Sequence, residues 1–69
     1  MRLSARNQLP GTVTRVDLGA VMSMVVIRLT GGEEVVAAIT KDSIESLDLK
    51  VGDSVLAVIK ATEVMVGKD

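Results

Sequence analysis

The chain has 69 residues, of which 48% are hydrophobic, yet it contains no Phe, Tyr or Trp. It also has no Cys and no His, which excludes disulfides, thiolate and imidazole metal sites and the commonest general base. Its formal net charge of -1 excludes a strong bulk attraction to polyanions. A lone chain of this size buries little surface, so we expect one domain over residues 1–69 that is stabilised by association between copies.

Turn residues divide the sequence into short segments rich in β-branched residues. The segment from Thr12 to Leu18 predicts a first strand that ends at Gly19. Two further strands, over residues 22–29 and 34–40, flank a Gly31-Gly32 turn that favours a hairpin. Both of these strands are apolar on their two faces, which predicts that a second copy of the chain covers the outer faces.

One short helix and two more strands complete the predicted elements. Thr40 or Asp42 caps a helix that ends at Leu47. A fourth strand is predicted over residues 54–60, and a last short strand over Glu63 to Val66. The fold class is therefore expected to be all-β with one short helix, arranged as a five-stranded OB-like Greek-key barrel.

No arrangement of side chains predicts catalysis or a membrane anchor. A nucleophile would need a Ser or Thr activated by Lys, or a pair of carboxylates, and neither arrangement is found. The longest uncharged run, Leu18 to Ile27, is too short to cross a bilayer, and the N-terminus has no apolar leader. We expect a cytoplasmic protein that is not an enzyme and does not bind membranes.

Hydroxyl and cationic residues gather at the predicted strand ends. They lie before the first strand, at the helix start and after the fourth strand: Ser4, Arg6, Thr40, Ser43, Lys60 and Thr62. The unpaired N–H groups of a helix start favour an oxyanion, and two cations would neutralise a dianion. On the residues alone, the alternative stays open that the hydroxyls only cap the helix and the cations are surface charges.

The motifs Ser4-Ala5-Arg6-Asn7, Ile39-Thr40-Lys41-Asp42-Ser43 and Ile59-Lys60-Ala61-Thr62, in this order, resemble the molbindins, the molybdenum-pterin-binding protein family. The resemblance covers Met1 to Val66. It implies an OB-like barrel of the transport-associated type and a hexamer arranged as a trimer of dimers. It also implies molybdate as the ligand, with tungstate as a mimic and no further cofactor, for intracellular molybdenum storage and homeostasis.

The resemblance also implies which residues bind the oxyanion. One side of the site would be Ser4, Ala5, Arg6, Lys60, Ala61 and Thr62, and the other side Thr40 and Ser43 of a neighbouring chain. The anion would be held by hydrogen bonds, with no direct metal ligation. A second kind of site, made largely from backbone groups, is implied near the three-fold axis. We expect the bare oxyanion and not a pterin, which would need an aromatic or apolar slot with amide partners.

Two other classes of function are open alternatives. An OB-like barrel often binds single-stranded nucleic acid, but base stacking uses aromatic side chains, which this chain lacks. The second alternative is a structural or partner-docking module without specific anion binding.

Overall fold

The computed structural model describes residues 1–69, and the fold is mostly β with one short helix, as predicted. The elements in chain order are β1 (Asn7–Asp17), β2 (Met22–Leu29), β3 (Glu34–Thr40), α1 (Lys41–Leu47), β4 (Ser54–Ile59) and a 3-10 turn (Ala61–Glu63). The strands form one antiparallel sheet in the order β3-β2-β1-β4, curled into a half-barrel. The single α-helix has seven residues, and no helix of the chain could span a membrane.

Strand β1 begins earlier than predicted, at Asn7 and not at Thr12. Pro10 and Gly11 are turn formers in isolation, but here they continue the strand. Over residues 7–10 β1 pairs only with β4, so the missing N–H of Pro10 interrupts no second ladder. A Cβ on Gly11 would lie 2.6 Å from the carbonyl oxygen of Arg28, so glycine is needed where β1 approaches β2.

The core lies between the concave side of the sheet and α1. Its buried apolar members are Val13, Val25, Ile27, Ile44 and Ala57. All are aliphatic, and the strand residues among them come from inward positions of β1, β2 and β4. Ile44 is the one buried residue of α1 and joins the helix to this cluster.

The outward positions of β2 and β3 are also apolar, as the sequence predicts. Met22, Met24 and Val36 are all exposed on this surface of the single chain. The pairs Met24–Ala38 and Val26–Val36 face each other across the two strands. The convex side of the hairpin is thus an apolar surface without a partner in its own chain.

The predicted fifth strand over Glu63 to Val66 is not present. A 3-10 turn over Ala61–Glu63 carries the chain away from β4, and the residues after it have no regular structure. A strand needs a hydrogen-bonding neighbour, and no strand of the same chain pairs with this tail. Val64, Met65 and Val66 are consequently 51%, 93% and 94% exposed.

A groove of about 750 Å³ lies between the two outer strands, β3 and β4. Most of its lining is apolar, and it includes Val35, Ile39, Val55 and Ile59. Because β3 and β4 do not pair with each other, the barrel of the single chain is open along this groove.

Candidate functional site

The start of α1 carries two of the predicted site residues in direct contact. Thr40 is the N-cap, which settles the choice between Thr40 and Asp42. The Ser43 N–H donates to Thr40 Oγ1 at 3.0 Å, and the two side-chain hydroxyl oxygens lie 2.8 Å apart. This hydroxyl pair is fixed by the geometry of the first helical turn.

The hydroxyl pair can donate only one hydrogen bond to a ligand. One hydroxyl must donate to the other across the 2.8 Å contact, so a single O–H is left to donate outward. The backbone also offers fewer free N–H donors than an isolated helix start would. Besides the Ser43 N–H, the Lys41 N–H is engaged, since it donates to the Val21 carbonyl at 2.8 Å. The expectation that the helix presents unpaired N–H groups is therefore wrong for these two amides.

The other predicted residues flank the ladder between β1 and β4. Asn7 pairs with Ile59, so the segment before β1 and the segment after β4 leave the sheet at the same end. Continued by one residue, this antiparallel register sets Arg6 opposite Lys60. The structure therefore brings these two segments to one end of the sheet.

The N-terminal segment is held by a side chain absent from the predicted set. Gln8 Nε2 donates to the Ala5 carbonyl at 2.6 Å. Ala5 is half-buried, whereas Ser4 and Arg6 on either side of it are exposed. The anchored residue thus leaves its two polar neighbours accessible to a ligand.

The segment after β4 is short and exposed. Lys60 is the N-cap of the 3-10 turn, and its carbonyl accepts the Glu63 N–H at 2.9 Å. Lys60, Ala61 and Thr62 are all exposed. The turn keeps the ammonium and hydroxyl groups next to the end of β4.

The two cations of this end are not neutralised within the chain. The ion pairs of the chain are Arg15–Asp17 at 2.9 Å and Lys50–Asp48 at 3.0 Å. The hydrogen bond and charge of Asp48 raise the pKa of Lys50 above its usual value. Neither ion pair involves Arg6 or Lys60, so both cations are free to meet an anion.

The two groups of predicted residues lie at opposite ends of the sheet. Thr40 pairs with Met22, next to the end of β1 at Asp17. Arg6 and Lys60 flank the other end of β1, at Asn7. The 11 residues of β1, about 33 Å when fully extended, separate these two ends along the strand. We name them the helix half (Thr40, Ser43) and the ladder half (Ser4, Ala5, Arg6, Lys60, Ala61, Thr62).

Two side chains that the sequence reasoning passed over support these halves. Gln8 anchors the ladder half, and Ser23 is 4% exposed on the inward side of β2. Ser23 Oγ accepts the Gly19 N–H at 3.1 Å. The sequence pattern could have identified Ser23, because it is the one polar residue in the alternating apolar series that contains Val25 and Ile27.

Comparison with known proteins agrees with this architecture. Residues 3–66 match the family model described as the TOBE domain. A structure of a molybdate-binding protein from Sporomusa ovata superposes with a TM-score of 0.92 at 48% identity, covering 99% of this chain and 100% of that chain. The fold and the family model together define a TOBE domain.

Named relatives show to which family of TOBE domains the chain is similar. Molybdenum-pterin-binding protein 3 of Clostridium pasteurianum is 48% identical over 66 residues, which are 96% of this chain and 97% of that protein. The molybdenum transport protein ModE of Herbaspirillum seropedicae is 55% identical over 64 residues, or 93% of this chain, but the chain spans only 24% of its length. The chain belongs to the molybdenum-pterin-binding protein family, which confirms the resemblance to the molbindins.

Proposed function

We propose that this protein binds molybdate, or tungstate in its place, between copies of the chain, and that it stores and buffers molybdenum in the cytoplasm without a catalytic step. The observation that carries the proposal is the division of the anion-binding residues into two halves at opposite ends of the sheet. The names of the relatives from Clostridium pasteurianum and Sporomusa ovata support the identity of the ligand.

The chemistry of the two halves is complementary and suits a tetrahedral oxyanion. Molybdate is a dianion whose oxygens only accept hydrogen bonds, so its site needs converging donors. Arg6 and Lys60 of the ladder half supply charge, and both are free of ion pairs. Thr40 and Ser43 of the helix half supply a hydroxyl without further charge. Two cations and several neutral donors match the charge and the hydrogen-bonding needs of the dianion.

The location between copies makes binding stronger and more selective. Exposed cations such as Arg6 and Lys60 in a single chain would bind sulfate or phosphate weakly, because water screens them. Enclosure between two chains lowers the local dielectric and strengthens each hydrogen bond. Selectivity for molybdate over the smaller sulfate then rests on the size of the enclosed cavity.

The fifth strand forms, in this proposal, on a second copy of the chain. The edge of β3 is free, the neighbouring groove is apolar, and Val64 to Val66 are exposed and apolar. A tail lying antiparallel to β3 of a second copy would begin beside Thr40 of that copy. Lys60 and Thr62 immediately precede the tail, so this pairing would carry the ladder half of one chain to the helix half of another. Repetition of the contact supports the hexamer, a trimer of dimers, that the family resemblance implies.

Native mass spectrometry with and without added molybdate tests the proposal, because it reads the oligomer and the bound anions together. We expect a hexamer that gains several molybdates and gains none from sulfate at the same concentration. A hexamer that gains no molybdate would leave only a structural or partner-docking role.

A double variant tests whether the ladder half binds the molybdate. Ser4→Ala combined with Lys60→Ala should lower the number of bound molybdates and leave the hexamer intact, because neither residue belongs to the core or to an ion pair of the chain. Thr12→Ala with Lys68→Ala is the matched control, since it removes one exposed hydroxyl and one exposed cation outside both halves. Unchanged uptake in the first variant would overturn the assignment of the site.

A further inference from the structure

Ser23 is the one buried polar side chain of the protein. It lies on β2 with its side chain among the inward positions that also hold Val25 and Ile27. A buried hydroxyl in apolar surroundings is unfavourable unless it is hydrogen-bonded. Ser23 Oγ meets this need by accepting the N–H of Gly19 at 3.1 Å. The Ser23 hydroxyl therefore holds in place the loop between β1 and β2, residues 18–21.

The loop is folded tightly against β2. A Cβ on Gly19 would collide with the carbonyl oxygen of Met22, so only glycine permits this close return of the chain. The bond from the Gly19 N–H to Ser23 Oγ closes the turn across four residues. One end of the loop is thus held by the buried serine.

The other end of the loop holds the start of α1. The Val21 carbonyl accepts the N–H of Lys41, the first helical residue, at 2.8 Å. A helix of seven residues is not stable by itself, so its first turn depends on such tertiary contacts. Lys41 is adjacent to the N-cap Thr40, whose hydroxyl is bonded to Ser43. These hydrogen bonds and the short loop backbone link Ser23 to the hydroxyl pair, in addition to the direct pairing of Thr40 with Met22 at the end of the β2–β3 ladder.

We propose that Ser23 is a positioning residue for the Thr40–Ser43 hydroxyl pair and acts through the loop of residues 18–21. The inference rests on the proposed function, in which the pair donates to the oxyanion. Without the Ser23 hydroxyl the loop loses its fixed end, and the hydrogen bond from the Lys41 N–H to the Val21 carbonyl, which lies beyond the last Met22–Thr40 pair, opens more often. The oxyanion must then order the pair as it binds, which weakens its affinity.

Ser23→Ala tests the proposal with two independent readouts. Amide hydrogen exchange of the anion-free protein should show the Lys41 N–H exchanging about 10-fold faster, because opening of the first turn becomes easier. Calorimetric titration should show about 3–10-fold weaker molybdate binding, with an unchanged oligomer. Ser23→Thr, which keeps the hydroxyl, should restore both values towards those of the wild type.

Ile27→Val is the matched control, since Ile27 is a buried inward residue of the same strand and contributes only packing. It should lower the melting temperature and leave molybdate affinity unchanged. The proposal is wrong if Lys41 exchange in Ser23→Ala is no faster than in Ile27→Val, if affinity holds while exchange rises, or if Ser23→Thr behaves like Ser23→Ala. A wild-type protein that binds no molybdate overturns the proposed function itself, and that result is visible before any variant is made.

Discussion

The helix half and the ladder half of the site differ in how the chain holds them. In the helix half, Thr40 is fixed by two contacts to Ser43, and the first turn is tied to the Val21 carbonyl. Buried Ile44 attaches the same helix to the core. In the ladder half the polar side chains are all exposed, and the only side-chain hydrogen bond is from Gln8 to the Ala5 carbonyl.

The difference indicates a division of tasks between the two halves. Neutral hydroxyls are cheap to hold rigidly in a single chain, because their hydrogen bonds are satisfied locally. Two unpaired cations close together repel each other and are best left in water until an anion arrives. In the proposed site, the rigid half would provide geometry, and the exposed half would provide charge that becomes ordered when a second chain and the anion are present.

The largest expected effect comes from breaking the anchor of the helix half. Ile44→Ala removes a buried side chain of the core, so the free energy of unfolding should fall by about 2–5 kcal/mol in urea denaturation. Leu47→Ala on the same helix is the control, because Leu47 is exposed and should change that free energy by about 0.5 kcal/mol or less. Equal losses in both variants would contradict the anchoring role of Ile44.

Removing the charge of the ladder half should cost binding but not stability. Each charge-assisted hydrogen bond contributes about 1.5–3 kcal/mol, so Arg6→Ala with Lys60→Ala should weaken molybdate binding about 100-fold or more. The melting temperature should be unchanged, because both residues are exposed. Arg15→Ala with Lys68→Ala changes the net charge equally and should bind as the wild type does. Equal weakening in the control would reduce the effect to bulk electrostatics.

The hydroxyl pair should behave as one donor and not as two. Thr40→Val and Ser43→Ala should each weaken molybdate binding by only about 2-fold, because the hydroxyl that remains still has one proton to donate, and Thr40→Val should also cost about 1 kcal/mol of stability through loss of the N-cap. In a double-mutant cycle, we expect the double variant to lose more than the two single variants together, about 10-fold or more, because no hydroxyl is then left to donate. Additive losses would show two independent donors and would contradict the interpretation that the 2.8 Å contact leaves one O–H to donate outward.

The smallest effect is expected at the anchor of the ladder half. Gln8→Leu removes the donor to the Ala5 carbonyl and should weaken molybdate binding by about 2–3-fold, since this bond acts on the site indirectly and is given the lower end, about 0.5 kcal/mol, of the usual net value of a hydrogen bond. Titration calorimetry can resolve this change. A loss as large as that of the double cation variant would mean that the ladder half is as rigidly held as the helix half.

Much of the fold is predictable from local sequence. The bounds of β2 and β3 and the end of α1 at Leu47 agree with the prediction, and β4 differs by one residue. The errors involve long-range pairing. Pro10 and Gly11 act as strand residues because β1 has one neighbour there, and Glu63 to Val66 form no strand because a single chain offers them no neighbour.

The site is predictable in its chemistry but not in its support. Hydroxyls and cations at strand ends are visible in the sequence, and pairing brings Ser4 and Arg6 to the same sheet end as Lys60 and Thr62. The contacts that fix the helix half are not visible, because they depend on how the β1–β2 loop meets α1. In the sequence, Ser23 differs from its apolar neighbours only in being polar.

A mixing experiment tests whether each anion lies between two chains, as proposed. One variant lacks the helix half (Thr40→Val, Ser43→Ala), and the other lacks the charges of the ladder half (Arg6→Ala, Lys60→Ala). At a molybdate concentration below the wild-type dissociation constant, each variant alone should bind about a tenth or less of the wild-type amount. After joint unfolding and refolding at equal amounts, we expect about a quarter of the wild-type molybdate capacity, because each half is intact in every second chain. A mixed oligomer that binds no more molybdate than its parents would contradict the claim and would place both halves of the site within one chain.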